Sequence, residues 1–377
     1  MFIKGVGCTN FGVEQSSQKL VYEAVNEALN DADIGIANID VILISSMTLA
    51  SNGERQRHIS AMLSSLFQRK LPIINITAAC AGGGAALWSA IQLSYNPNYN
   101  NILVVGVEKI LANINEIIID ELMMGADYVY EQLEGLNFPA QNALIAQQHM
   151  LKHGTTEEDF ALVAYKNHKN GFLNPKARFY KKEVTLEQIR SSPIVASPLR
   201  LYDCCISANG SAAVVLSKDK SDIEIAGSGF CVDRLPAFES DDMTSWQATR
   251  LAAEQAYKQT GITARDIDIA EVHDCFTPIE IISYEDLGFA KAGEGAELIR
   301  SNTTALDGNL PVNTSGGLKA KGHPISATGI SQIYELTKQL RGEAGDRQVN
   351  GTYALAQNIG GAGSTASVHI LKKAKYA

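Results

Sequence analysis

The chain has 377 residues, 45% of them hydrophobic and 19% charged, with 31 glycines and 10 prolines, which is the balance of a packed globule and not of a disordered segment. That length exceeds one ordinary core, so at least two packed units are expected. The charge sum, 32 − 41 = −9 without a basic block, excludes a nucleic-acid partner, and no apolar run reaches the ~20 residues of a membrane span. The opening MFIKGVG reads as a strand and not as a signal peptide, which implies a cytoplasmic protein.

In chain order, IKGVGCTNFG is a Gly-bearing strand, LVYEAVNEALNDADI a helix with Ala and Leu at three- and four-residue spacing, and IANIDVILISS an Ile/Val strand. An apolar strand then ends at Cys80, AGGGAALWSAIQL is a Gly-opened helix, and NILVVGVEK is a buried strand. From residue 116 to 196 the texture changes to charged, helical sequence, read as an inserted loop domain over the site, before NGSAAVVLS resumes the strands. The second half repeats this order: IEIAGSGFCVD, ATRLAAEQAYKQTGI, ARDIDIAEVHD, SATGISQIYELTKQL, GTYALAQN and GAGSTASVHIL answer the segments of the first. Residues 1–115 with 197–219, and 220–377, are thus two similar halves of an α/β protein whose mixed sheets are covered by helices. GVG at 5–7 and GSG at 227–229 are incomplete dinucleotide fingerprints and read as strand and turn glycines.

Four short segments carry candidate chemistry. Cys80 stands where a strand gives way to a Gly-opened helix, and the free N–H groups and positive dipole end there favour a thiolate, with glycines admitting a substrate to the backbone. A buried cysteine beside a tight turn is the equally weighted plain reading. His323, between Gly322 and Pro324, is held in an extended loop as a positioned base or as an ordinary surface histidine. His273 and Cys275 follow the Ile/Val strand of the second half, on one side of the chain with Asp274 opposite. Their spacing without a third ligand makes a weak zinc site, so no metal is expected. Gly360 and Gly361 end a strand fit to present N–H groups to an oxyanion, or simply to turn. The six cysteines show no CxxC spacing.

Together, the Cys80 segment, HDCF at 273–276, GHP at 322–324 and NIGG at 358–361 resemble the thiolases, within them the sterol-carrier-protein-2 type and the archaeal acetoacetyl-CoA thiolases. GTTEEDFALVAYKNHKNGFLNPKARF and LRLYDCCISANGSAAVVL resemble the same subfamily, so the likeness spans nearly the whole chain. It implies a five-layered αβαβα sandwich of two similar halves with an inserted loop domain, and an acetyl-CoA C-acetyltransferase. Cys80 would take the acyl group, helped by His323, and Cys275 would be the second acid/base, because Asn358 stands where better-known thiolases carry a cysteine. His273 would polarise the second thioester, and the backbone N–H groups of Cys80 and Gly360 would form the other oxyanion hole. Acetyl-CoA and CoA are then substrates and no cofactor is needed. The family resemblance further implies a homodimer or homotetramer, and as partners hydroxymethylglutaryl-CoA synthase and a zinc-containing DUF35 protein, in a mevalonate-type pathway. Cations are expected where CoA phosphates enter, Lys319 foremost, then Lys321, Arg200, Lys166, Lys169 and Arg178, with Cys204 and Cys205 along the pantetheine arm. The rival readings are a thiolase-like aldolase, a ketoacyl synthase and a non-catalytic acyl-CoA-binding scaffold.

Overall fold

Each half begins with a glycine-bearing strand because a helix presses directly onto it. A computed structural model describes residues 1–51, 54–111, 115–236 and 239–374. The first half runs β1 (Phe2–Cys8), α1 (Ser17–Asp31), β2 (Val41–Ser45), α2 (Ile59–Phe67), β3 (Ile73–Asn75), α3 (Gly82–Leu93) and β4 (Asn101–Glu108). Between β4 and the closing strand β7 (Gly210–Ser217) lie α4 (Asn115–Met123), α5 (Phe138–His153), α6 (Glu157–Leu173), α7 (Leu186–Arg190) and the short pair β5 (Ile194–Ala196) and β6 (Leu199–Arg200). The second half runs β8 (Ile223–Val232), α8 (Gln247–Thr260), β9 (Ile269–Glu271), α9 (Thr277–Asp286), α10 (Gly295–Arg300), α11 (Gly317–Ala320), α12 (Thr328–Arg341), β10 (Tyr353–Gly360) and β11 (Thr365–Lys373).

Helix α1 starts where the Ser16 hydroxyl accepts from the Lys19 N–H, and it buries Leu20, Val21, Ala24, Val25 and Ala28 on one face. A Cβ at Gly7 would lie 2.6 Å from the Ala28 nitrogen, and one at Gly229 would lie 2.7 Å from the Ala252 carbonyl carbon of α8. The GVG and GSG glycines therefore serve helix-on-strand contact and not a dinucleotide.

The halves have the same topology. Strand order is β2-β4-β7-β1 in one and β9-β10-β11-β8 in the other. In each the first pairing is parallel and the next two antiparallel. Strand β3 adds in parallel to β2, and Val312 makes a single parallel bridge to Ala270 at the matching place. Phe2 and Ile3 pair with Glu224 and Ile223, which joins the halves into one nine-stranded sheet. That sheet folds around α3 and α12, each of which touches strands of both halves, while α1 covers the outer face of the first half and α8 that of the second. The result is the αβαβα layering, with one apolar core between the halves and one under each outer layer. Among the described residues no helix is long and apolar enough to cross a membrane.

Candidate active site

The N-termini of the two central helices, α3 and α12, and the carboxyl ends of β9 and β10 meet at one cavity of about 200 Å³. Its lining brings together Cys80, His273, Cys275, His323 and Gly360, with Cys204 and Cys205 beside them. The larger cleft, about 500 Å³ between α6 and residues 299–307, contains none of these groups, so reactive chemistry and not size selects the smaller.

Cys80 sits on a tight elbow two residues before α3. Ala79 has φ of +46°, and the Ala81 and Gly82 N–H groups turn back to the carbonyls of Ala78 and Ala79 at 2.9 and 3.1 Å. Gly360 lies against this elbow, since a Cβ there would come 2.7 Å from the Ala78 oxygen and 2.9 Å from the Ala81 nitrogen. The glycines after Cys80 act differently from the expectation that they admit substrate. All three are buried, and side chains on them would strike Ser45, Ser326 and Ser367, so they let α3 lie close between the two halves.

The His323 loop is pinned by its own N–H to the Ile206 carbonyl (2.8 Å), and ring Nδ1 lies 2.8 Å from the Thr328 hydroxyl at the start of α12. That leaves Nε2 as the nitrogen open to the cavity. The His323 and His273 rings stand edge to face, 5.1 Å between centroids. Strand β9 stops at Glu271, yet the alternation continues: His273 and Cys275 line the cavity while Asp274 faces away, accepting from the Leu318 N–H (2.7 Å) and the Asn167 amide (2.8 Å).

Asn358 fixes the protonation of His273. Its Oδ1 accepts from the Gly84 N–H at 3.1 Å, which sets the amide orientation. Its Nδ2 then donates to the Cys80 carbonyl (3.0 Å) and to His273 Nδ1 (3.1 Å). A nitrogen that accepts carries no proton, so neutral His273 bears its proton on Nε2, where it serves as a hydrogen-bond donor.

Burial keeps the reactive groups neutral at rest. It pushes the Cys80 thiol up to about 12, with Cys205 and Glu108 adding to the effect. Cys275 is raised well above the usual thiol range by burial and by Cys205, and Cys205 itself is pushed up to about 12 by burial. His323 is pushed down to about 3 by burial and by the Lys319 and Lys321 cations, and His273 is lowered by burial, His323 and Lys319. Burial thus opposes the thiolate that the helix N-terminus favours at Cys80. A neutral thiol faces neutral imidazoles, and the thiol proton moves only as attack occurs.

Lys319 does not stand at an entrance to greet phosphates. It is 2% exposed, and its ammonium donates to the carbonyls of Asp203 (2.6 Å), Asp274 (3.0 Å) and Cys275 (3.4 Å). The Gly-rich loop folds inward as α11 and takes the cation with it. Lys321 and Lys166 are also buried, against Glu271 (3.7 Å) and Glu280 respectively, and the Arg178 guanidinium is tied to the Ser207 carbonyl at 2.8 Å. On the inserted segment, Phe138, Pro139 and Asn142 of α5 and Ile119 and Leu122 of α4 wall the cavity, whereas Met124 is 60% exposed. Thr328 and the proton-setting role of Asn358 went unread in the sequence, because both depend on side chains far apart in the chain.

Residues 4–220 match the family described as "Thiolase, N-terminal domain" and residues 229–373 the one described as "Thiolase C-terminal domain-like". The chain is 38% identical to an "Acetyl-CoA acetyltransferase" of Methanothermobacter thermautotrophicus, covering 98% of each chain. It is 34% identical to human "Sterol carrier protein 2", covering 96% of this chain and 70% of that one. Among solved structures, an "Ltp2-ChsH2(DUF35) aldolase" superposes with a TM-score of 0.86 at 25% identity, covering 100% of this chain and 98% of that one. Human mitochondrial 3-ketoacyl-CoA thiolase superposes with a TM-score of 0.74 at 16% identity over 99% and 98%, a likeness of fold. The chain belongs to the thiolase family.

Proposed function

We propose that this protein is an acetyl-CoA C-acetyltransferase, joining two acetyl-CoA into acetoacetyl-CoA and CoA or running the reverse thiolysis. The observation that carries the reading is the convergence of Cys80, His323, His273 and Cys275 on one mostly apolar cavity. Full-length similarity to an archaeal protein named for this activity supports it.

In the first half-reaction Cys80 Sγ bonds to the thioester carbon while its proton passes to His323 Nε2. The carbonyl oxygen becomes an oxyanion beside the elbow and Gly360, and the C–S bond to CoA breaks as the thiolate takes the proton. In the second, Cys275 removes an α proton from a second acetyl-CoA, whose enolate oxygen is met by the Nε2–H of His273. The enolate carbon bonds to the acetyl carbon and Cys80 leaves as a thiolate, reprotonated by the proton Cys275 took. Because Cys275 rests as a neutral thiol, its proton first passes to His323 Nε2, free again once CoA has taken the first proton, and returns to Cys275 at the end of the cycle. The nearby Lys319 ammonium is the buried positive charge that favours the transient thiolate. Cys204 and Cys205 flank the pantetheine arm in this reading. No cofactor takes part.

The retro-aldol reading draws on the resemblance to the aldolase structure. It uses no acyl-cysteine. A homodimer or homotetramer in the cytoplasm, coupled to hydroxymethylglutaryl-CoA synthase in a mevalonate-type pathway, belongs to the same proposal. So does a DUF35 partner, since the similar aldolase is itself named together with a DUF35 component. The test is the purified chain with acetyl-CoA, with acetoacetyl-CoA and CoA, and with a β-hydroxyacyl-CoA. Turnover of the first two supports the transferase, and turnover of the third alone supports the aldolase.

A further inference from the structure

Away from the cavity, the end of α5 carries His149 and His153 one turn apart, facing Glu285 of α9. Single ligand atoms of these three residues all lie within 4.8 Å of one another. From this geometry we infer a binding site for one divalent transition-metal ion, zinc being the commonest match for two imidazoles and a carboxylate.

Three features distinguish the cluster from a plain histidine–carboxylate pair. First, His149 Nε2 is 3.4 and 3.5 Å from the two Glu285 oxygens, nearly equidistant. A direct charge-assisted hydrogen bond closes to about 2.8 Å on one oxygen. Ligands at about 2.0–2.1 Å around a tetrahedral zinc ion stand roughly 3.3 Å apart, which matches the His149–Glu285 pair, and the His153 ligand atom lies within 4.8 Å of both. Second, the other ring nitrogen of His149 sits 2.8 Å from the Thr155 hydroxyl, the kind of outer contact that orients a metal-bound imidazole. The carboxylate of Glu285 is likewise fixed, accepting from the Gly295 N–H at 2.9 Å. Third, the Thr244 hydroxyl gives its proton to Asp242 (2.7 Å), so it can only accept from His153 Nε2 at 3.4 Å. Neutral His153 then carries a free lone pair on Nδ1, next to the Gly293 turn, where a Cβ would come 2.6 Å from that nitrogen. The ion would clasp α5, whose first turn walls the catalytic cavity, to α9, which follows Cys275.

The test uses the full chain, freed of metal by chelator dialysis and titrated with zinc chloride by calorimetry, then with cobalt(II) for its spectrum. One equivalent should bind, cobalt should show ligand-field bands without a thiolate charge-transfer band, and zinc should raise the melting temperature. His153→Ala and Glu285→Gln should each weaken binding by about 100-fold or more and remove the thermal shift. Cys80→Ala should bind as the wild type does. Absence of saturable binding overturns the site, as does unchanged affinity in both ligand variants. A thiolate band, or loss of binding in Cys80→Ala, overturns it too, because the ion then sits on the catalytic cysteines. None of these readouts depends on the acetyltransferase reading.

Discussion

Replacing Asn358 by Asp separates the two half-reactions. The side chain keeps its size and still offers Oδ1 to the Gly84 N–H, but the atom facing His273 Nδ1 becomes an acceptor. The His273 proton is drawn to Nδ1, leaving Nε2 a lone pair where the enolate oxygen needs a donor. Loss of one oxyanion donor costs about 2.7–4 kcal/mol, or roughly 10²–10³ in rate. The new oxygen also meets the Cys80 carbonyl at the former 3.0 Å hydrogen bond, within a site 1% exposed, so stability should fall by about 3–5 kcal/mol. Nitrogen NMR of the histidine ring reports the tautomer, mass spectrometry the acetylation of Cys80, and product formation the condensation. Acetylation should persist while condensation falls by about 10²–10³ and the ring proton moves to Nδ1. A folded variant that condenses at the wild-type rate, or whose wild-type parent already carries the proton on Nδ1, refutes the reasoning.

Cys275→Ala should form the acetyl-enzyme yet lose condensation by at least ~10³, and unchanged condensation gives the second proton transfer to another group. Lys319→Met strips the hydrogen bonds from three carbonyls, those of Asp203, Asp274 and Cys275, and should lower stability by about 3–6 kcal/mol in a denaturant titration. Removing that cation also raises the His323 pKa, so the acid loss of activity should move to higher pH; an unmoved acid limb would place Lys319 outside the site's electrostatics. In the wild type, a thiol pushed up to about 12 and an imidazole pushed down to about 3 change charge outside the ordinary pH range. The acetylation half-reaction should therefore stay level from about pH 5 to 9, and a tenfold rise per pH unit would reveal a freely ionising thiolate instead.

The internal repeat made the sheet legible, since segments such as NILVVGVEK and GTYALAQN occupy the same place in the strand order of their halves. The reactive set was legible too, because Cys80, His273, Cys275 and His323 each stand at a turn beside glycine or at a strand end. What the sequence concealed was direction. Lysine in GGLKAKG looks like a surface residue by type, and only the inward fold of α11 and the carbonyls of Asp203 and Asp274 make Lys319 an interior cation. Likewise the helix start at Cys80 argued for a thiolate, while the burial that opposes it comes from residues on other segments, Ile110, Ile118 and Leu122 as well as the more distant Cys205 and Cys275. The Asn358 contacts to Gly84, Cys80 and His273 span both halves and leave no pattern in any one segment.

The central claim is that Cys80 carries the acetyl group. Intact-protein mass spectrometry after brief incubation with acetyl-CoA, on the wild type and on Cys80→Ala with acetoacetyl-CoA assayed in the same tubes, tests it most directly. The account predicts one acetyl adduct with product in the wild type and neither in the variant. An adduct that persists in Cys80→Ala, or product formed without Cys80, would contradict it.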